Sequence, residues 1–159
     1  MHLHRFILSS PFAIHVFLTA PPADPAQWAT CPQHVGSGTI FTTANTTVQP
    51  SVIVSGQVPL THALAQAVDD GILASLEADH VVPLLNNSLE WRIQKVDGNP
   101  VDAEDLVDGK GKGRLKIGVI SREVTPRVRD DAFPVYASWN TWPSITAGKV
   151  GGTKAAKPA

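Results

Sequence analysis

Proline and glycine punctuate this chain throughout, and they set the tightest limit on its fold. The 159 residues contain 13 prolines and 12 glycines, which are spread from Pro11 to Pro158. Because proline lacks a backbone N–H and clashes with the preceding helical turn, helices between these positions must be short. A coiled coil is therefore excluded, and no apolar run approaches the roughly 20 residues that a membrane-spanning helix needs.

The composition is that of one ordinary domain with a hydrophobic core. Hydrophobic residues make up 43% of the chain, which is too many for a disordered protein. A single cysteine, Cys31, excludes any disulfide framework within the chain. These features leave room for one core and no more than one domain of usual size.

The charge is distributed unevenly along the chain. Residues 1–108 contain three basic and eleven acidic side chains, whereas residues 109–159 contain ten basic and three acidic ones. The net charges of the two parts are therefore −8 and +7. Such asymmetry indicates a segment that binds a polyanion or an acidic partner. The alternative is that the two halves neutralise each other within one fold.

Six segments have the composition or the alternation of β-strands. The clearest is 89–96, in which apolar and polar residues alternate with the period of a half-buried strand. We expect it to pair with 114–122, across a loop of about 17 residues that is long for a hairpin. The other predicted strands are 3–8, 12–19, 39–43 and 48–55.

One helix is predicted over about 61–82. Thr61 is a plausible N-cap and Pro83 is expected to end the helix. The apolar stripe has the four-residue spacing of a helix face and consists of Leu60, Leu64, Val68, Ile72 and Leu76. Gly71 in the middle leaves open the alternative of two shorter helices, because glycine weakens a helix interior.

These elements predict an α+β fold, in which a small and mainly antiparallel sheet is covered by one principal helix. We expect three parts: an N-terminal arm and proline-rich connector over 1–38, an α+β core over 39–124, and an extended basic and aromatic arm over 125–159.

No catalytic, cofactor or metal site is predicted. Cys31 and His34 are close in sequence, but two ligands are fewer than the three or four of a zinc site. His2 and His4 lie on one face of a predicted strand, without a carboxylate or cysteine beside them. We therefore expect neither a small-molecule substrate nor a cofactor.

Two groups of residues are the candidate contact sites. Lys110, Lys112 and Arg114 form a basic run suited to a polyanion or an acidic partner, and a flexible hairpin tip is the alternative. The second group is a run of aromatics spaced by three and preceded by two arginines. Its members are Phe133, Tyr136, Trp139 and Trp142, with Arg127 and Arg129.

The aromatic group has three interpretations. Tryptophan, tyrosine and arginine dominate protein interfaces, which favours docking on a neighbouring subunit. Packing on the chain's own sheet and stacking on single-stranded nucleic acid are the alternatives.

Taken together, these features predict a non-enzymatic structural subunit of a large assembly. The specific expectation is a virion component, such as a capsid-associated, connector or tail protein, that binds copies of itself or other subunits. The alternative is a nucleic-acid-binding protein that uses the basic segment 110–129 and the C-terminal tail. The expected location is the virion or, failing that, the cytoplasm.

Overall fold

The computed structural model describes residues 1–4, 10–41, 53–106, 115–127, 129, 131 and 133–153. Lys110, Lys112 and Arg114, and parts of the predicted strands 3–8 and 48–55, lie outside these residues. The helices are α1 (Thr61–Asp69), α2 (Ala78–Ser88) and α3 (Pro143–Thr146). The strands are β1 (His2–His4), β2 (Phe12–Phe17), β3 (His34–Ile40), β4 (Ile53–Ser55), β5 (Glu90–Lys95), β6 (Pro100–Val101), β7 (Leu115–Lys116), β8 (Ile120–Ser121), β9 (Val124–Thr125), β10 (Val135–Tyr136) and β11 (Asn140–Thr141).

The largest sheet has the order β3-β2-β5-β6, and each neighbouring pair is antiparallel. Its central strand β2 alternates, so Phe12 and Ile14 join the main core while His15 and Phe17 lie on the opposite face. Ile14 pairs with Ile93 of β5, which is also fully buried. The prediction of an α+β fold with antiparallel sheets is confirmed at this level.

The main core lies between this sheet and the helices. Leu64 of α1 and Leu85 of α2 are buried against Trp91 and Ile93, which project from β5. Burying a large apolar side chain stabilises a fold by about 1.5–3 kcal/mol, so these contacts hold the helices on the sheet.

The single helix predicted over 61–82 is wrong, and the alternative of two shorter helices is confirmed, because the chain forms α1 and α2 there. Gly71 has a φ of +72°, a left-handed conformation that ends α1 and that glycine adopts without steric cost. Pro83, expected to stop the helix, lies inside α2 instead. At the sixth position of α2 it removes only one backbone hydrogen bond, near the start of the helix.

The expected pairing of strands 89–96 and 114–122 is also wrong. The first segment does form β5, but its partners are β2 and β6, because the turn at Gly98 brings Pro100 and Val101 back alongside it. The second segment divides into β7, which pairs with β1, and β8, which pairs with β11.

The described parts of the two expected arms belong to the folded body rather than extending from it. Strand β2 is central in the largest sheet. Ile145 of α3 is buried in the main core, and Ile117 and Gly152 form a parallel bridge. Strands β3 and β9 cross the proposed divisions at 38/39 and 124/125. Whether 39–124 is a separate folding unit is untested and stays a prediction. Among the described helices, none is long and apolar enough to span a membrane.

Candidate functional site

An exposed hairpin near the C-terminal end carries the clearest cluster of interface-type side chains. Strands β8 and β9 run against β11 and β10, with Ser121 opposite Asn140 and Val124 opposite Tyr136. The guanidinium carbon of Arg122 lies 4.1 Å from the ring centroid of Tyr136 and 4.3 Å from that of Trp139. We call this the hairpin surface; its exposed members are Ile120, Arg122, Val124, Val135, Tyr136 and Trp139.

The hairpin surface holds one cation in a fixed orientation between two aromatic rings. Cation–π contacts at exposed sites are each worth about 0.5–1 kcal/mol, and arginine stacks well because its guanidinium is planar. Within the described residues, no hydrogen bond or ion pair engages the guanidinium of Arg122. Its N–H groups are therefore available to a carboxylate from outside, which arginine binds through two parallel hydrogen bonds.

The predicted aromatic group divides between this surface and the core. Tyr136 and Trp139 are about half exposed on the hairpin surface, and Phe133 nearby is 90% exposed. Trp142 instead packs against the main core, and its indole Nε1 donates to the Ser121 hydroxyl at 2.8 Å. For Trp142, packing on its own chain is therefore the interpretation that applies.

The predicted arginines of this region lie at its surface. The Nε of Arg129 lies 3.2 Å from a carboxylate oxygen of Asp131, and Arg127 is exposed. Arg122 was not among the predicted residues, although it lies at the end of a predicted strand that is followed by aromatics. The basic run at Lys110, Lys112 and Arg114 falls outside the described residues.

A second surface lies at the turn between α1 and α2. Ile72 and Leu76 are 68% and 50% exposed there, which is unusual for side chains of this kind. Four exposed carboxylates lie within a few residues of them in the sequence, and none takes part in the ion pairs found among the described residues. We call this the acidic turn; the carboxylates are Asp69, Asp70, Glu77 and Asp79.

A third exposed apolar group lies at one end of the largest sheet. Phe12 pairs with Ile40 on one side and Lys95 on the other, and the Val96 N–H donates to the Pro11 carbonyl at 3.1 Å. The residues that follow Ile40 and Lys95 therefore flank Pro11. We call this the sheet-end patch; its exposed members are Phe41 and Val96, at 73% and 71%.

The face of the largest sheet that points away from the main core carries a pair of imidazoles, of which His15 is buried and His34 half-buried. His15 Nδ1 lies 3.3 Å from His34 Nε2, so one ring nitrogen donates a hydrogen bond and the other accepts it. Both rings stack near Phe17, and Trp28 lies edge-on to His15. The sequence analysis associated His34 with Cys31 and missed His15, because the two histidines meet only through strand pairing.

The proline-rich connector covers this pair. Trp28, which belongs to the connector, is buried, and its indole donates to the Pro22 carbonyl at 2.8 Å, while Gln94 donates to the Pro25 carbonyl at 3.1 Å. Burial under this cover lowers the pKa of His15, and the neighbouring His34 lowers it further; a hydrogen bond with Gln94 acts in the opposite direction. The neutral form of His15 is therefore favoured at neutral pH.

Among the described residues, the imidazole pair supplies two ligands, fewer than the three or four of a zinc site. The Cys31 thiol donates to the Trp28 carbonyl at 3.5 Å. In the part of the chain that the structure describes, no group of three or more histidine, cysteine, aspartate or glutamate side chains could hold a metal ion.

An open cavity of about 640 Å³ lies beside β5, between Trp91, Glu104 and Lys149. The Lys149 ammonium donates to the carbonyls of Leu89 at 2.8 Å and Leu85 at 3.3 Å. Burial lowers the pKa of Lys149, and the charge of nearby Glu90 partly offsets this effect. Lys149 thereby joins the end of α2 to the C-terminal segment, which is a structural role.

A known protein family matches most of this chain. The sequence model of the tyrosinase C-terminal domain matches residues 1–119. The chain belongs to the tyrosinase C-terminal domain family. The matched stretch contains the largest sheet, the imidazole pair, the acidic turn and the sheet-end patch, whereas the hairpin surface lies beyond it.

A curated protein supports the same assignment. A tyrosinase from Neurospora crassa is 37% identical over 99 residues, which are 62% of this chain. Those residues are 13% of the N. crassa protein, so this chain resembles only a small part of that tyrosinase. No solved structure matches the chain.

The family assignment corrects the predicted function. The expectation of a virion component, with its capsid or tail role and its virion location, is wrong, because the family is that of a tyrosinase domain. The nucleic-acid-binding alternative is likewise replaced as the account of function. The expectation that the chain is not an enzyme holds only in part, because the family relates the chain to tyrosinases, but through their C-terminal domain. Whether the chain binds copies of itself or nucleic acid is untested.

Proposed function

We propose that this chain is a non-catalytic domain of a tyrosinase-family protein, and that it acts by binding the catalytic region of that protein. The match of residues 1–119 to the tyrosinase C-terminal domain carries this proposal. Because the matching part of the N. crassa tyrosinase is only 13% of its length, most of such a protein lies outside this domain. The remainder is the natural partner for a contact that the family shares.

A contact shared by the family should involve residues within the matched stretch. The sheet-end patch lies there, and Phe41 and Val96 are its largely exposed apolar side chains. Fully burying a phenylalanine or valine is worth roughly 1.5–3 kcal/mol, so covering this patch would contribute substantially to binding. The strands on both sides of Phe12 hold the backbone of the patch in place. Less conformational entropy is therefore lost when a partner binds there.

The test is binding between two separate chains, this domain and the catalytic region of a tyrosinase from the same organism. We expect the two to co-elute and to give a saturable binding isotherm. Phe41→Ser should weaken the affinity at least tenfold, which corresponds to about 1.4 kcal/mol. The rate of tyrosine oxidation by the catalytic region, measured with and without the domain, would show whether binding alters catalysis.

Phe133→Ser is the matched control, because it makes the same change at an exposed phenylalanine outside the matched stretch. It should leave the affinity unchanged. Absence of any complex with the wild-type domain would refute the proposed function. Equal effects of the two substitutions would instead show that the sheet-end patch is not the contact.

A further inference from the structure

The hairpin surface and the acidic turn have the same design with opposite charge. Each has exposed apolar side chains at its centre, Tyr136 and Trp139 in one and Ile72 and Leu76 in the other. The guanidinium of Arg122 lies against both rings of the first pair, and exposed carboxylates lie within a few residues of the second pair in the sequence. Surfaces of this kind bind each other through a buried apolar centre and a charged rim.

The charge of the whole chain follows the same division. The acidic turn belongs to residues 1–108, with a net charge of −8, and the hairpin surface belongs to residues 109–159, with a net charge of +7. The acidic turn of a second copy can therefore meet the hairpin surface of the first copy. The acidic turn of the first copy can likewise meet the hairpin surface of the second.

The two surfaces adjoin within one chain, which suits a closed pair. Ala78 and Asp79, at the start of α2, line a small cavity together with Trp142, which follows the hairpin strand β11. When two self-complementary surfaces lie side by side, a two-fold axis lets each contact occur twice and closes the assembly at a dimer.

We propose that two copies of this chain form a dimer in which the hairpin surface of each copy binds the acidic turn of the other. Arg122 donates to a carboxylate of the partner's turn, while Tyr136 and Trp139 cover the partner's exposed apolar side chains. Tryptophan, tyrosine and arginine are the residue types that dominate interface energetics. This proposal is independent of the proposed function, whose contact we assign to the sheet-end patch.

The first experiment is light scattering with the full chain over a range of concentrations. At low ionic strength we expect a species of twice the 16.9 kDa chain mass. At about 1 M salt, where the Debye length is about 3 Å, the dissociation constant should rise at least tenfold. Trp139→Ala should also raise it at least tenfold, with an unchanged circular dichroism spectrum because the side chain is half exposed.

Charge exchange gives the sharper test. Arg122→Glu should abolish the dimer, and so should the quadruple change of Asp69, Asp70, Glu77 and Asp79 to lysine. An equal mixture of these two variants should dimerise again, because each hairpin then meets a turn of opposite charge. Lys95→Glu on β5 is the control for Arg122→Glu, because it changes the net charge by the same amount. It should dimerise like the wild type.

Three results would overturn the proposal. One is a wild-type chain that remains monomeric at every concentration at low ionic strength. Another is a dimer that Arg122→Glu and Trp139→Ala do not weaken, which would place the interface elsewhere. The third is a monomer whose Arg122 is required for binding a single-stranded oligonucleotide, which would assign the hairpin surface to nucleic acid.

Discussion

The indole Nε1 of Trp91 donates a hydrogen bond to the carbonyl oxygen of Val150 at 3.1 Å, across 59 positions of the sequence. Trp91 lies in the stretch that matches the tyrosinase C-terminal domain, and Val150 lies beyond it. The bond therefore fastens the C-terminal segment to the family core. Lys149, beside Val150, adds its two hydrogen bonds to the end of α2.

Replacing Trp91 by phenylalanine should loosen this attachment. Loss of one hydrogen bond lowers the free energy of unfolding by about 1 kcal/mol, and the smaller ring adds a packing defect. Urea unfolding measures the total, and hydrogen exchange of the amides in 145–153 measures the local effect. Trp139→Phe makes the same change at a half-exposed site and should cost much less. Equal losses in the two variants would contradict this role for Trp91.

His15 should make stability depend on pH. Because the pKa of His15 is lowered in the folded state, the unfolded chain binds more protons than the folded chain as the pH falls below the ordinary histidine value of about 6.5. The contribution of His15 to the free energy of unfolding is therefore complete above that value. It decreases with acidification until the pH passes the lowered pKa.

The thermal midpoint measured from pH 8 to pH 5 tests this prediction. His15→Gln should reduce the slope below about pH 6.5, because the titrating group is absent. His62→Gln, at an exposed site on α1, should leave the slope as it is in the wild type. A slope that His15→Gln does not change would show that other groups govern the acid response.

Gly152→Ala should be strongly destabilising. A Cβ at this position would clash with the backbone carbonyl of Thr146, which cannot rotate away as a side chain can. Overpacking of this kind costs about 1–3 kcal/mol. Gly148→Ala is the comparison, because a Cβ there meets nothing within 4 Å and adds only the strain of a positive φ. If denaturant unfolding gave Gly148→Ala the larger loss, the close approach at Gly152 would be refuted.

Cys31→Ser should be nearly neutral. The thiol makes one long hydrogen bond to the Trp28 carbonyl, and a serine hydroxyl can donate to the same oxygen. We expect the free energy of unfolding to change by less than about 1 kcal/mol. Trp28→Phe should cost considerably more, because it removes the bond from the buried indole to the Pro22 carbonyl. A large loss in Cys31→Ser alone would point to a role for the thiol that its contacts do not explain.

Local patterns predicted the elements better than their partners. The alternation over 89–96 correctly indicates β5, and the apolar spacing from Leu60 correctly indicates helix. The same spacing continues through Ile72 although the chain turns at Gly71, because periodicity describes which residues are apolar and not the sign of φ. Pairing of β7 with β1 depends on contacts more than 100 residues apart, which no local pattern encodes.

The candidate sites show the same limit. Tyr136 and Trp139 were predicted to be interface residues from their type, and that role stays a prediction. Arg122 was not predicted, because its contact with Trp139 depends on the pairing of β8 with β11. His15 and His34 become neighbours only through the register of β2 and β3. The family itself was not predicted, and it enters through sequence similarity rather than through any single chemical motif.

The attachment of residues 143–153 changes where this domain ends. Similarity to the family stops at residue 119, yet Ile145 is buried in the main core and Gly152 bridges to Ile117. A boundary placed at residue 119 would therefore remove side chains of the main core, such as Ile145, and the segment that is bonded to Trp91. A domain exchange between proteins of this family should therefore move the chain to at least 30 residues beyond the last residue that matches the family.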